Sequence, residues 1–140
     1  MITADQFTNL PPELLIAFSS KDDGSVPDRS KGIHSPDIVQ NRRQICSAAG
    51  VSYQDVVYQR IIYDENATYS LIADVDHRST TRFTPDVVAD ALFTKQPGVG
   101  LFLPVADCIV TVIYDPKHRF LAQLHMGRHS TVNDLLSRML

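Results

Sequence analysis

The chain has 140 residues, 44% of them apolar and 21% charged, with a formal net charge of −3. That composition fits an ordinary globular domain; it offers no basic surface for nucleic acid and no run of 18 apolar residues for a membrane-spanning helix. The N-terminus, MITADQFTNLPPELLIAF, is acidic where a signal peptide needs basic residues, and two cysteines 62 positions apart make no disulfide framework, so a reducing cytoplasm with free thiols is the expected setting.

Leu14 to Phe18 reads as a short apolar strand, and Ser19 to Gly32 as a polar loop. Ser35-Pro36-Asp37 predicts a helix start: a side-chain acceptor at the cap, proline in the first turn and an acid facing the positive end of the dipole. Ile38, Val39, Ile45, Cys46 and Ala49 then form one apolar stripe at helical spacing, closed by Gly50. Cys46 on that stripe reads as a small core residue. Val56 to Tyr63 predicts a strand, Asp64-Glu65-Asn66 a turn, and Tyr69 to Val75 the partner strand. Asp76 to Thr84 is polar, with His77 and Arg78 at the surface, and Pro85 to Leu92 is expected to hold a short helix.

Val99 to Val105 and Ile109 to Tyr114 are almost wholly β-branched, aliphatic or aromatic, as for strands buried on both faces. Ala106-Asp107-Cys108 between them would place a carboxylate and a thiol in apolar surroundings, where an unpaired charge costs on the order of several kcal/mol. Asp107 serves there either as a turn cap or as a base. Asp115-Pro116-Lys117-His118 reads as a turn, and Phe120 to Leu124 returns the chain to His125. A hairpin of this kind would bring His125 beside Cys108. Thiolate with imidazole is a donor pair for zinc and also the equipment of nucleophilic catalysis.

Arg128-His129-Ser130, at a predicted helix N-terminus, is either an anion contact or a plain cap. Thr131 with Asp134 gives a capping-box pattern. Val132, Leu135, Leu136, Met139 and Leu140 would share one apolar helical face, and that helix reads as cut off mid-element.

Taken together, ADALFT (Ala89–Thr94), PGVGL (Pro97–Leu101), ADC (Ala106–Cys108), Asp115-Pro116 and HMGRHST (His125–Thr131) resemble the laccase-domain proteins. That family, also called the polyphenol oxidase family, includes proteins described as zinc-containing purine nucleoside phosphorylases. Phe18-Ser19-Ser20-Lys21 is similar to its FSTR segment and Asn41-Arg42-Arg43 to its ENRR helix. The resemblance implies an α+β domain over residues 1–140, with a mixed central β-sheet and flanking helices, incomplete at its C-terminal end.

It also implies a metal site of one cysteine, here Cys108, and two histidines, one of them His125. The second histidine belongs to a QVHG segment that aligns with Gln59-Arg60-Ile61-Ile62, so Ile61 stands in its place. Zinc is then lost, or His129, His77 or His34 moves in, or water fills the position. Lys21, Arg128 and His129 are the candidates for anion contact in phosphorolysis of adenosine- or inosine-type nucleosides. The implied partners are nucleoside and phosphate, with no nucleic acid and no membrane. Two other readings stand beside this one: a ligand-binding relative without zinc, and a metal-free Cys–His hydrolase. Copper oxidase chemistry is not expected, because the chain has no dense histidine cluster.

Overall fold

Helix α1 (Pro36–Ala48) carries proline at its first position, where the missing N–H has no intrahelical partner to lose. It belongs to a computed structural model that describes residues 1, 9–27, 32–63 and 71–140. The chain divides into two compact units, Met1–Tyr53 and Gln54–Leu140. The predicted turn at Asp64-Glu65-Asn66 lies outside the described residues. Among the described residues no helix is long and apolar enough to cross a membrane.

In the first unit, α1 buries Ile38, Ile45 and Cys46 on the expected stripe, and Gly50 ends it at φ +83°. Burial pushes the Cys46 thiol up to about 11. The cap works differently from the sequence expectation. Ser35 has the extended backbone of a cap residue, but its buried hydroxyl has no hydrogen-bond partner among the described residues, so proline and Asp37 carry the helix start.

The same face holds an unexpected residue. Arg42 falls one turn after Ile38 and is 0% exposed. Its Nε and Nη2 donate to the Val26 carbonyl at 3.0 and 2.8 Å, and Nη2 also donates to the Ile33 carbonyl. Nη1 donates to the Tyr53 hydroxyl at 3.4 Å and meets His34 Nδ1 at 3.3 Å. Next to it, Asn41 Nδ2 donates to the Ser25 carbonyl at 2.8 Å. Ser25, Val26 and Ile33 are thus held to the helix by its side chains. Gly24, at φ +85°, lies where a Cβ would come 2.9 Å from Asn41 Nδ2. Leu14 to Phe18 is not a strand: within it only Phe18 makes a single bridge, and apolar composition alone does not supply the ladder partners that extended backbone needs.

The second unit is built from two sheets. Strands β1 (Val56–Arg60), β3 (Val87–Val88) and β5 (Gly100–Phe102) form a parallel sheet in the order β3-β1-β5. Strands β2 (Ile72–Asp74), β4 (Ala91–Thr94), β6 (Ile109–Asp115) and β7 (Phe120–Met126) form a mixed sheet in the order β2-β4-β7-β6. Mixed strand pairing with few helices gives the expected α+β class, in two sheets rather than one. Val57, Val75, Ala89, Leu92 and Val99 make one core. Ala91, Ala122, Leu124 and Leu135 make the other. Gln123 on β7 links the sheets when its amide is oriented to suit its neighbours, the nitrogen then donating to the Leu101 carbonyl at 3.2 Å and the oxygen accepting from the Leu103 N–H at 3.0 Å.

Several predicted elements change. β1 ends at Arg60, and β2 pairs in parallel with β4, not with β1. Residues 85–92 form β3 and the start of β4 instead of a helix. Val87 and Val88 are β-branched, and pairing with Gln59 and Arg60 outweighs the weak helical pattern. β5 pairs with β1, and β6 is half-buried at a sheet edge, not buried on both faces. The single predicted C-terminal helix is two short ones, α2 (Arg128–Val132) and α3 (Leu135–Met139). Asp134, at φ +53°, breaks the pattern between them, and Thr131 caps nothing, donating back to the Gly127 carbonyl at 2.8 Å. Only Leu135 of the apolar face is fully buried, while Val132 is 76% exposed.

The predicted β6–β7 hairpin is present, with full register from Ile109↔Met126 to Asp115↔Phe120. Asp115 organises the turn: its Oδ1 accepts from the N–H groups of Lys117 (2.9 Å) and His118 (3.3 Å), and its Oδ2 lies 2.5 Å from His118 Nδ1. These contacts, the His118 side chain first, hold the Asp115 carboxyl below its usual value of 3.8. A carboxyl depressed in the folded state stabilises it above the unfolded pKa and loses that contribution as pH falls through the folded one. Amide exchange at Lys117 and His118 should therefore stay slow down to pH 3.8 and accelerate below it. In Asp115→Asn the acceleration should be present at neutral pH.

Candidate functional site

The hairpin register explains how two of the predicted residues meet. Val110 pairs with His125 and Ile109 with Met126. One further step sets Cys108 opposite Gly127. Side chains alternate along strands, so Cys108 shares a face with Val110 and His125 and is diagonal to the histidine. Gly127 contributes no side chain to the gap. A Cβ built there would stand 3.4 Å from Cys108 Sγ, 3.2 Å from His125 Cε1 and 3.6 Å from His125 Nε2. Thiol and imidazole therefore flank one small cleft, no farther apart than those two distances laid end to end. With φ −87° Gly127 needs no glycine-specific backbone; space is what it supplies.

His125 is 3% exposed and held from behind. Its backbone N–H donates to the Asp90 carbonyl at 2.8 Å, and its Nδ1 lies 4.0 Å from Asp90 Oδ1. Nδ1 has no hydrogen-bond partner among the described residues, so the carboxylate is the nearest charge able to fix a proton on it. Asp90 is itself anchored: its N–H donates to the Leu71 carbonyl at 2.8 Å and its Oδ2 accepts from the Leu71 N–H at 3.2 Å. Gln59 Nε2 fixes the preceding residue by donating to the Ala89 carbonyl at 3.0 Å. Asp90 sits where the chain passes from β3 in one sheet to β4 in the other.

The opposite edge of the imidazole meets Tyr63. With the ring proton on Nδ1, the Tyr63 hydroxyl donates to His125 Nε2 at 3.2 Å, and the two rings meet edge-on at 89° with centroids 5.9 Å apart. The turn after β7 is locked by Ser130, which is 2% exposed. Its hydroxyl donates to the His125 carbonyl at 2.7 Å and accepts from the Gly127 N–H at 2.9 Å.

Of the five predicted site residues, the structure brings Cys108 and His125 together. Arg128 and His129 follow directly on α2, both exposed. Lys21 opens a 3-10 turn (Lys21–Asp23) in the other unit and is exposed. Ile61 is half-buried just beyond β1. The three histidines considered as replacements do not complete a metal site: among the described residues no group of three or more His, Cys, Asp or Glu side chains is placed to hold a metal ion. Asp107 is exposed in a bend, so its carboxylate needs no buried partner.

The residues present suit zinc in kind, a thiol and a buried imidazole with a carboxylate behind it. In number they fall one side chain short of three. Asp90 and Tyr63 were not assigned as site residues from the sequence. Asp90 had a signal, an acid between two alanines in an apolar run, which burial would force to find partners. Tyr63 had none beyond being aromatic.

The two cysteines should differ sharply in reactivity. Cys46 is 3% exposed with its pKa pushed up to about 11, while Cys108 is half-buried beside the cleft. At pH 8 one thiol per chain should react rapidly with an aromatic disulfide reagent, and two should react after denaturation. The rapid phase should vanish in Cys108→Ala and persist in Cys46→Ala.

Residues 29–140 match the family described as multi-copper polyphenol oxidoreductase laccase. A purine nucleoside phosphorylase of Bacteroides thetaiotaomicron is 32% identical over 56% of the chain and 31% of its own length. One of Corynebacterium glutamicum is 28% identical over 72% of the chain and 39% of its own length. The purine nucleoside phosphorylase YlmD of Bacillus subtilis is 24% identical over 88% and 47%. The chain thus spans less than half the length of these relatives. In fold it is similar to crystal structures of the hypothetical protein YfiH of Bacillus licheniformis (TM-score 0.62, 24% identity) and YlmD of Geobacillus stearothermophilus (TM-score 0.61, 22% identity), covering 78% of this chain and 42% of each of those.

Proposed function

Because the chain belongs to the multi-copper polyphenol oxidoreductase laccase family, we propose that it carries the Cys108–His125 part of a purine nucleoside phosphorylase-like site acting on adenosine- or inosine-type nucleosides in the cytoplasm. The observation that carries this reading is the convergence of thiol and imidazole over Gly127. Cys108 and His125 would hold zinc, which when bound supplies a positive charge at an open coordination position.

In phosphorolysis a phosphate oxygen attacks the anomeric carbon, the bond to the purine nitrogen breaks, and the base leaves with the bonding electrons. The chain's own groups divide the work. Ser130 fixes the backbone of His125 and the Asp90 carboxylate faces its Nδ1 at 4.0 Å, which favours one orientation of its donor nitrogen. Gly127 keeps the cleft open. Arg128 and His129 on α2 are the proposed phosphate contacts of this unit, with Arg128 suited to paired hydrogen bonds with an oxyanion.

A second reading has its own support. The family resemblance puts Ile61 where a second ligand histidine would stand, and among the described residues no third His, Cys, Asp or Glu completes the group, which favours a relative that binds a ligand without zinc or phosphorolysis. The deciding measurement is zinc per chain together with purine release from adenosine and inosine, with and without phosphate. Near-stoichiometric zinc with phosphate-dependent release supports the phosphorylase. Absence of both removes it and leaves the second reading.

A further inference from the structure

Strand β6 leaves the second unit with an open edge. Among the described residues it pairs with β7 on one side and has no strand on the other. Its sequence, IVTVIYD over Ile109–Asp115, contains no proline, glycine or lysine, and its register with β7 runs without a bulge. Edge strands are ordinarily blunted by such devices, because the unpaired N–H and C=O groups along them are a template for another strand. Ile109, at the start of this edge, is 69% exposed. We propose that a second copy of this chain pairs antiparallel with β6 about a two-fold axis at Val112, joining two four-stranded sheets into one continuous sheet.

Symmetry favours this register. A two-fold axis perpendicular to a sheet keeps each residue on its own face, and opposed residues share a face. A residue can therefore meet only a residue of the copy that lies an even number of positions away in sequence. A strand with an odd number of residues can satisfy that along its whole length, and β6 has seven, centred on Val112. The axis then sets Ile109 opposite Asp115, Val110 opposite Tyr114 and Thr111 opposite Ile113. Val110 with Tyr114 is a β-branched and aromatic pair of the kind that stabilises a ladder. The Asp115 carboxylate already accepts from the N–H groups of Lys117 and His118, so it needs nothing from the partner. Moving the axis by one residue either way leaves the last two residues at one end of each strand without a strand partner.

Charge selects the same register. Asp107 stands two positions before β6 and Lys117 two positions after it, both exposed. With the axis at Val112, Asp107 of each copy faces the partner's Lys117, an opposite-charge contact at each end of the ladder. With the axis at Thr111, Asp107 would face the partner's Asp115, and like charges directly opposite are destabilising. With the axis at Ile113, Ile109 would face the partner's Lys117. Exposed ion pairs add little strength; what these add is a choice of register. Full pairing and charge matching thus coincide at one residue.

The test is sedimentation of the full chain as wild type, as Lys117→Asp, and as the double swap Asp107→Lys with Lys117→Asp. Mild oxidation of Val112→Cys and of Ile109→Cys, each in a Cys108→Ala background, locates the axis, and thermal melts confirm that every variant folds. The wild type should be a dimer, weakened about ten-fold in Lys117→Asp and restored in the double swap. Cysteine at position 112 should cross-link two copies, because each would meet its own counterpart there, and cysteine at position 109 should not. A wild type that stays monomeric at every concentration overturns the proposal and leaves the edge to a strand of different origin. A dimer that tolerates Lys117→Asp and gives no cross-link through position 112 also overturns it, since the copies would then meet elsewhere. Cross-linking through position 109 in place of 112 overturns the register and the contact built on it.

Discussion

Arg42→Met should destabilise the N-terminal unit by about 3 kcal/mol, even though methionine nearly matches arginine in volume and no charge remains buried. The reason lies in what the guanidinium leaves behind. The Val26 and Ile33 carbonyls accept from it, and a buried acceptor without a donor costs about 1–3 kcal/mol. Relief of the desolvated charge offsets part of that sum. Arg42→Lys should recover only a fraction, because a single ammonium cannot reach two carbonyls and a hydroxyl from one stem as the planar fork does. Exchange protection in α1, compared with that in β6 and β7, is the measurement. Loss confined to the helix and the segment before it fits the hydrogen-bond pattern, while unchanged protection in Arg42→Met would refute the structural role.

With Cys108 and His125 holding zinc as proposed, His125→Gln should lower zinc affinity by at least about 100-fold, since changes behind a ligand already cost 10–100-fold and this one would remove the ligand itself. Glutamine keeps a polar group of similar reach, so the fold should survive and the loss can be read as ligation. Asp90→Asn is the companion. It retains the backbone bonds to Leu71 and His125 but removes the charge facing Nδ1, so about a 10–100-fold loss is expected. The imidazole tautomer, read from ring nitrogen shifts, should change in Asp90→Asn and stay fixed in Arg128→Ala. An Asp90→Asn protein with wild-type affinity and tautomer would show that the 4.0 Å approach has no hold on the ring.

Where pattern and pairing were local, the sequence was a sound guide. The stripe on α1, the Asp115–His118 turn and the β6–β7 hairpin are each contained within one helix, one turn or one pair of adjoining strands, and the meeting of Cys108 with His125 follows from that hairpin alone. Long-range choices were not legible. Nothing in Ile72–Asp74 says that it pairs in parallel with β4 across a crossover rather than folding back on β1, because strand composition sets burial, not partner. Tertiary pairing likewise overrode the weak helical pattern of residues 85–92. Arg42 was read only as part of a motif, since a charged residue on an apolar stripe gives no hint of the carbonyls waiting for it. Tyr63 stayed hidden because its contact spans 62 positions.

The Ile109↔Met126 rung has a consequence for how long the site holds together. It is the last pair of the hairpin, on a strand with a neighbour on one side only. Separating the thiol from the imidazole therefore requires unzipping one end of a ribbon, not melting the core around Leu124 and Leu135. The lifetime of the donor pair is set by that local opening, which lies well below the global unfolding free energy in proteins generally. An ion or ligand joining Cys108 to His125 would act as a clasp on the ribbon's end, and its residence time would report the fraying rate of two strands.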